Sequence, residues 1–170
     1  DGHLYGLALS GGGGCMTFVR KQWLDNCGLD ILLSQLYRDI IDDDPELEGG
    51  IVVLLSEGEN TLSHFELGYM AKLTGAVVAE AERLIVMDNK VYYRAPEGGF
   101  QRVAIIHRLT LDSMLDPLCF DEDSPCGIPH LMEAYAAGHI AIINAPGCSL
   151  AEDRGLHYFI PTMIRYYLDE

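Results

Sequence analysis

Apolar residues along this chain change their period several times, and each change marks an element. Residues 1–20 alternate loosely through Leu4, Tyr5, Leu7 and Leu9, meet Gly11-Gly12-Gly13-Gly14 and resume at Met16. That is the pattern of a hairpin, or of a strand with a flexible loop. Over residues 22–41, Trp23, Leu24, Ile31, Leu32, Leu36, Ile40 and Ile41 recur at broadly helical spacing, and Asn26-Cys27-Gly28 interrupts them. The spacing predicts two short helices. The acidic run Asp42-Asp43-Asp44-Pro45, followed by Gly49-Gly50, predicts a solvated linker.

Ile51-Val-Val-Leu-Leu55 is continuously apolar and β-branched and is closed by Ser-Glu-Gly, which suits a strand buried on both faces. Leu62, Phe65, Tyr69, Met70 and Leu73 then form a helical stripe; Ser63 and Glu66 have capping-box spacing, and Gly75 is a natural stop. Residues 76–78 and 84–87 read as strands, with Asp88-Asn89 turning the second into a hairpin with 91–94. Residues 103–106 form another buried strand, 131–137 a helix, 140–143 a strand, and 150–168 a final amphipathic helix or pair. Its tail, with Tyr166 and Tyr167, reads as packing rather than as a base-stacking platform.

Strand and helix alternate from Ile51 onward, so the economical fold is α/β, an open and largely parallel sheet flanked by helices. Residues 1–50 form a short N-terminal appendage of strand, glycine-rich loop and helical segment, and 51–170 form the main domain. Ligands in such sheets sit beyond the carboxyl ends of the strands. Three loops leave strands at that edge, at residues 56–60, 107–112 and 144–149.

Composition narrows the function classes. The chain has 170 residues, 49% of them apolar, enough for a real core. A formal net charge of −15 repels nucleic acid and anionic membrane surfaces. The five cysteines are odd in number and contain no C-x-x-C pair, so neither a disulfide framework nor a zinc ribbon is indicated and a cytoplasmic location fits. The six histidines lack H-x-x-x-H and H-E-x-x-H spacing, which disfavours a zinc site. The abrupt opening at Asp1, and an end directly after a helical pattern, are compatible with a piece of something longer.

Several residues carry candidate chemistry. The glycine run fits neither G-x-G-x-x-G, which would need glycine where Met16 stands, nor a Walker loop, since no lysine precedes Lys21. It is either a mobile loop or a flap over a phosphate. Arg108 leaves a buried strand, where a guanidinium needs an anion: a ligand carboxylate or phosphate, or else Asp112 or Glu66 in an internal ion pair. Ser149 with Glu152 has capping-box spacing; either Asn144, Asp153 and Arg154 face the same helix mouth, or Asn144 only holds the turn and Arg154 only pairs with Asp153. Cys148 is a nucleophile only if a base attends it, and none is visible, so it reads as an ordinary thiol.

Together these fragments resemble the circularly permuted ATP-grasp family of type 2, relatives in fold of glutathionylspermidine synthase. Leu55-Ser-Glu-Gly58 and Phe65-Glu66 resemble the family's L-T-P-G and Y-F-E-H. Ile106-His-Arg108, Asp112 and Leu115-Asp-Pro-Leu118 resemble its I-Y-R-R-V-D-D-x-F-L-D-P-L. Asp123-Ser124, Gly127-Ile-Pro129, Asn144-Ala-Pro-Gly147 and Ala151-Glu-Asp-Arg154 resemble its D-S-x-L-G-V-P and N-A-P-G-T-G-V-A-D-D-K. Gly12, Gly14 and Arg20 align with its S-G-A-G-Y-A-L-E-N-R. Departures stand at Leu67 for histidine, Leu109 for arginine, Leu111 for aspartate, Arg154 for lysine, and Phe18-Val19-Arg20 for E-N-R.

The resemblance implies a Rossmann-like, substrate-side portion of an ATP-dependent carboxylate-amine ligase, with ATP and Mg2+ as cofactors and a small-molecule or peptide carboxylate and an amine as substrates. It implies that Arg108 holds an acceptor carboxylate or a phosphoryl oxygen, with Asp112 beside it as a second catalytic residue. Glu66, Asn144, Asp153 and Arg154 would shape the substrate mouth, and Gly12, Gly14 and Arg20 would serve the nucleotide. A further ATP-grasp lobe, in cis or in trans, would complete the enzyme. One alternative is a non-catalytic module that keeps the fold and binds a small carboxylate or peptide; another is a purely structural interaction domain, in which Arg108 would be locked in internal ion pairs.

Overall fold

A computed structural model describes residues 4–6, 18–20, 29–58, 61, 63–148 and 154–168. Strands β1 (Leu4–Gly6) and β2 (Phe18–Arg20) pair antiparallel, Leu4 opposite Arg20. Helix α1 (Leu29–Asp43) is the second of the two expected helices; the first, before Asn26, lies outside the described residues. The expected linker is more structured than its acidic composition predicts. Asp44 caps a 3-10 turn, Pro45–Leu47, by accepting from the Glu46 N–H at 3.0 Å, and Leu47 is buried. One apolar residue that reaches the core was enough to fold the acid run against it.

Strands β3 (Ile51–Ser56), β4 (Val77–Glu80), β5 (Leu84–Met87), β6 (Lys90–Arg94), β7 (Phe100–Arg108) and β8 (Ala141–Ile143) make one six-stranded sheet. Its order is β4-β3-β7-β6-β5, with β8 also paired to β7. The β3–β4, β3–β7 and β7–β8 ladders are parallel, while β5–β6 and β6–β7 are antiparallel. Strand β7 thus serves two neighbours on one side: its first residues, Phe100 to Arg102, pair with β6, and Ile105 to His107 pair with β8. Asp88 and Asn89 turn β5 into β6 at φ 50° and 57°, the backbone of a type I′ hairpin that both side chains tolerate.

Helices cover both faces. Helix α2 (Ser63–Thr74), which ends at Gly75 with φ +76°, buries Leu67, and α3 (Leu131–Ala136) buries Leu131 and Ala134. One side of the sheet packs Val53, Val103 and Ile106 with Leu115, Ile128 and Leu131. The other packs Ala104 and Ile105 with Tyr37 of α1 and with Leu47. The register between β3 and β7 shifts at Ile51/Val52, where a Cβ on Gly50 would stand 2.7 Å from that of Ala104, so only glycine lets the strands close there.

The final helix, α4 (Arg154–Leu168), is single and carries Pro161 in its interior. Its apolar residues were expected to pack. Instead Tyr166 and Tyr167 are 80% and 74% exposed, and none of its described side chains is buried. No helix among the described residues is long and apolar enough to cross a membrane.

Candidate functional site at the carboxyl edge of the parallel strands

Because β3, β7 and β8 run parallel, their three exits emerge at one edge of the sheet. The loops after β7 and β8 are joined there by one side chain. Arg108, the last residue of β7, is 3% exposed. Its Nε–H donates to the carbonyl of Asn144 at 2.9 Å, Nη1 to the carbonyl of Thr110, and Nη2 to Asp112 Oδ1 and to the carbonyl of Ala145 at 3.1 Å. The Sγ of Cys148 lies 3.7 Å from Nη2. In return the Asn144 amide donates to the carbonyl of Arg108 at 3.0 Å, and Asp112 Oδ2 accepts from the N–H of Gly147 at 3.2 Å. The planar fork of a guanidinium satisfies several convergent acceptors at once, which a lysine ammonium does less well. The resemblance implies a carboxylate gripped by Arg108; in the structure that carboxylate is the chain's own Asp112.

The third exit, after β3, ends on buried Ser56, whose hydroxyl accepts from the N–H of Gly58 at 3.1 Å. Thr61 donates to the carbonyl of Gly58 at 2.8 Å, so the turn into α2 is held by its own hydroxyls. Glu66 stands in the first turn of α2, at the same edge of the sheet. It is half-buried, burial raises its carboxyl above the usual range, and among the described residues it has neither a hydrogen bond nor an ion pair. It therefore closes no capping box with Ser63 and forms no pair with Arg108.

The remaining candidates divide. Arg154 opens α4, while Asp153, Gly12 and Gly14 lie outside the described residues; Arg20 ends β2. Cys119, Cys126 and Cys148 are free thiols. Among the described residues no group of three or more His, Cys, Asp or Glu side chains is placed to hold a metal ion. A depression of about 560 Å³ lies between α1 and α2, lined by Ser34, Tyr37, Arg38, Ile51 and Thr74. It sits at the amino ends of β3 and β4, opposite the loop edge.

Three residues of consequence were not among the expected site residues. Asp116 is fully buried and accepts from the N–H groups of Leu118 at 3.0 Å and Met132 at 2.9 Å, which ties the loop to the first turn of α3. The aspartate of Leu115-Asp-Pro-Leu118, set between apolar residues, was the available clue. Thr110 is 3% exposed, and its hydroxyl has no partner among the described residues. Tyr37 reaches from α1 to share a 2.6 Å hydrogen bond with Nδ1 of His107, their rings edge to face. Alternation along β7 sends His107 to that face and Arg108 to the other.

With this geometry in place, comparison with known proteins identifies the lineage. The circularly permuted ATP-grasp type 2 pattern matches residues 27–170. The chain belongs to that family. An uncharacterized protein of Synechocystis sp. is 36% identical over 143 residues, 84% of this chain and 30% of its own length. Two uncharacterized proteins of Mycobacterium tuberculosis are 38% identical over 119 residues, 70% of this chain and 21% of theirs, and 33% identical over 132 residues, 77% of this chain and 15% of theirs. The chain therefore spans less than a third of the length of these ATP-grasp relatives. The match begins within the N-terminal fifty residues and includes α1, which packs Tyr37 on the sheet.

Proposed function

We propose that this chain is the substrate-side part of an ATP-dependent carboxylate-amine ligase, a longer cytoplasmic protein that forms an amide or peptide bond through an acyl phosphate. What supports this is the convergence of three turns at the carboxyl edge of parallel strands, two of them bound together by Arg108, where α/β sheets take their ligands. Arg108 is here a positioning residue: with Asp112 and Asn144 it fixes the loops over residues 107–112 and 144–148. Glu66 is the group offered to the substrate. An unpaired, partly desolvated carboxylate suits an amine. As the amine nitrogen bonds to the acyl carbon and phosphate leaves with the bonding pair, the proton shed by nitrogen passes to Glu66. By the family resemblance, Asp153 and Arg154 contribute to substrate binding. ATP supplies the phosphoryl group; its phosphates and Mg2+ are held by polypeptide corresponding to the rest of the longer relatives, with Gly12, Gly14 and Arg20 as this chain's contribution.

A second reading, a carboxylate- or peptide-binding module without turnover, is favoured by Leu67, which is fully buried where the family has a histidine. Two measurements separate them. Small carboxylates and amines should raise the melting temperature of this chain while ATP with Mg2+ leaves it unchanged. The full-length Synechocystis relative should release ADP when given ATP, a carboxylate and an amine together. Carboxylate binding without ADP release would favour the module, and neither effect would remove both readings.

A further inference from the structure

Helix α4 sets an apolar stripe in water. Phe159, Ile160, Met163 and Ile164, at helical i, i+1, i+4 and i+5 spacing, are 55%, 40%, 43% and 42% exposed, and Tyr158 beside them is 82% exposed. Exposed apolar surface of this extent on one element marks an interface. The helix also needs support. At 15 residues, with an interior proline that cannot donate a backbone hydrogen bond, it is marginal in water by itself. Its charges differ from those of the rest of the chain. Arg154 and Arg165 are basic, no acidic residue occurs within it, and yet the whole chain carries −15.

We propose that this face docks the remaining polypeptide of a longer ATP-grasp protein, through an apolar surface rimmed by carboxylates. The family match runs through α4 to residue 170, and in relatives of which the chain covers only 30%, 21% and 15%, most of the polypeptide lies outside the matched part. The helix also starts close to the candidate site. Arg154 follows Cys148 by six residues, which limits their separation to about 20 Å of extended chain. A lobe seated on α4 thus lies within chain reach of the edge where Arg108 joins the two loops. The inference rests on the proposed function only in taking the chain as one part of a longer protein; it requires no particular reaction.

Hydrogen exchange provides the test, in two samples: this chain alone, and the full-length Synechocystis relative as it exists. In the free chain, the amides of residues 156–160 and 162–167 should exchange close to the rate of an unprotected peptide, and the chain should sediment as a monomer. In the full-length relative the helix corresponding to α4 should be protected by about a hundredfold or more. Equal, fast exchange in both samples overturns the proposal. Dimerisation of the free chain that protects the same amides also overturns it, by making a second copy the occupant. ADP release assayed on the same sample keeps the two ideas apart: protection without turnover removes the ligase and leaves the docking surface, and turnover over an unprotected helix does the reverse.

Discussion

Arg108 and Asn144 hold each other by main chain and side chain at once: the Nε–H of one donates to the carbonyl of the other at 2.9 Å, and the amide of the second donates back to the carbonyl of the first at 3.0 Å. The pair fastens the end of β7 to the end of β8 just where both strands stop. A buried cation surrounded by main-chain carbonyls and one carboxylate is a fixed part of the fold, and removing it strands every acceptor it satisfies.

Arg108→Ala should therefore lower stability by about 3–5 kcal/mol, which for a domain of this size is a melting temperature lower by roughly 10 °C. Arg108→Lys should recover only a minor part, because an ammonium on a flexible stem does not present the same fork. Thermal melts of the two variants check both statements. A drop of less than about 1 kcal/mol for the alanine variant, judged against typical surface substitutions, would show that the cluster does not bind the loops together.

Thr110 behaves differently. Its hydroxyl is buried with no partner among the described residues, so Thr110→Val exchanges an unsatisfied polar group for a methyl of similar shape. The substitution should be neutral or stabilising by about 0–1 kcal/mol, which urea denaturation resolves. A loss of 2 kcal/mol or so would mean the hydroxyl is bonded in solution.

The Tyr37–His107 pair gives the chain an acid limb. Burial lowers the pKa of His107 and pushes that of Tyr37 up to about 12, so both are neutral near pH 7. Below about pH 6.5 the unfolded chain binds a proton at this histidine that the folded chain resists. Stability from His107 is thus complete above that pH and falls as the pH drops toward its lowered folded value. In melts at a series of pH values, His107→Phe should flatten this part of the curve. Tyr37→Phe should cost about 1 kcal/mol at pH 7 through the lost hydrogen bond.

Glu66 has the opposite sign. Its carboxyl titrates above the normal range because burial disfavours the charge. Folded protein consequently binds the proton more readily than unfolded chain does, and Glu66 subtracts stability as the pH rises through its raised value. Glu66→Gln should raise the melting temperature slightly at pH 7 and leave it unchanged at pH 4. A lower melting temperature at pH 7 would reveal a cationic partner.

Much of this architecture was legible in the sequence, and the rest was hidden for identifiable reasons. The run from Ile51 to Leu55 announced a central strand because burial on both faces requires continuous apolar residues, and Asp88-Asn89 announced its hairpin because few residues accept positive φ. Gln101 and Arg102 concealed the first part of β7, since its exposed half pairs by backbone with β6. At the site, Arg108 was recognisable as a cation in need of an anion. Its actual set is mostly main-chain carbonyls, which no side-chain pattern encodes. The stripe of α4 gave the right helix and the wrong environment, because periodicity identifies an apolar face without saying which body covers it.

The claim on which the site depends is that the Arg108 guanidinium is sealed between two loops, and the Nε–H resonance of that residue reports on it directly. Arg108 should give a distinct Nε–H signal at pH 7 that exchanges with solvent far more slowly than those of surface arginines and stays in place when acetate is titrated in. Exchange at the surface rate, with a shift that follows acetate, would contradict it.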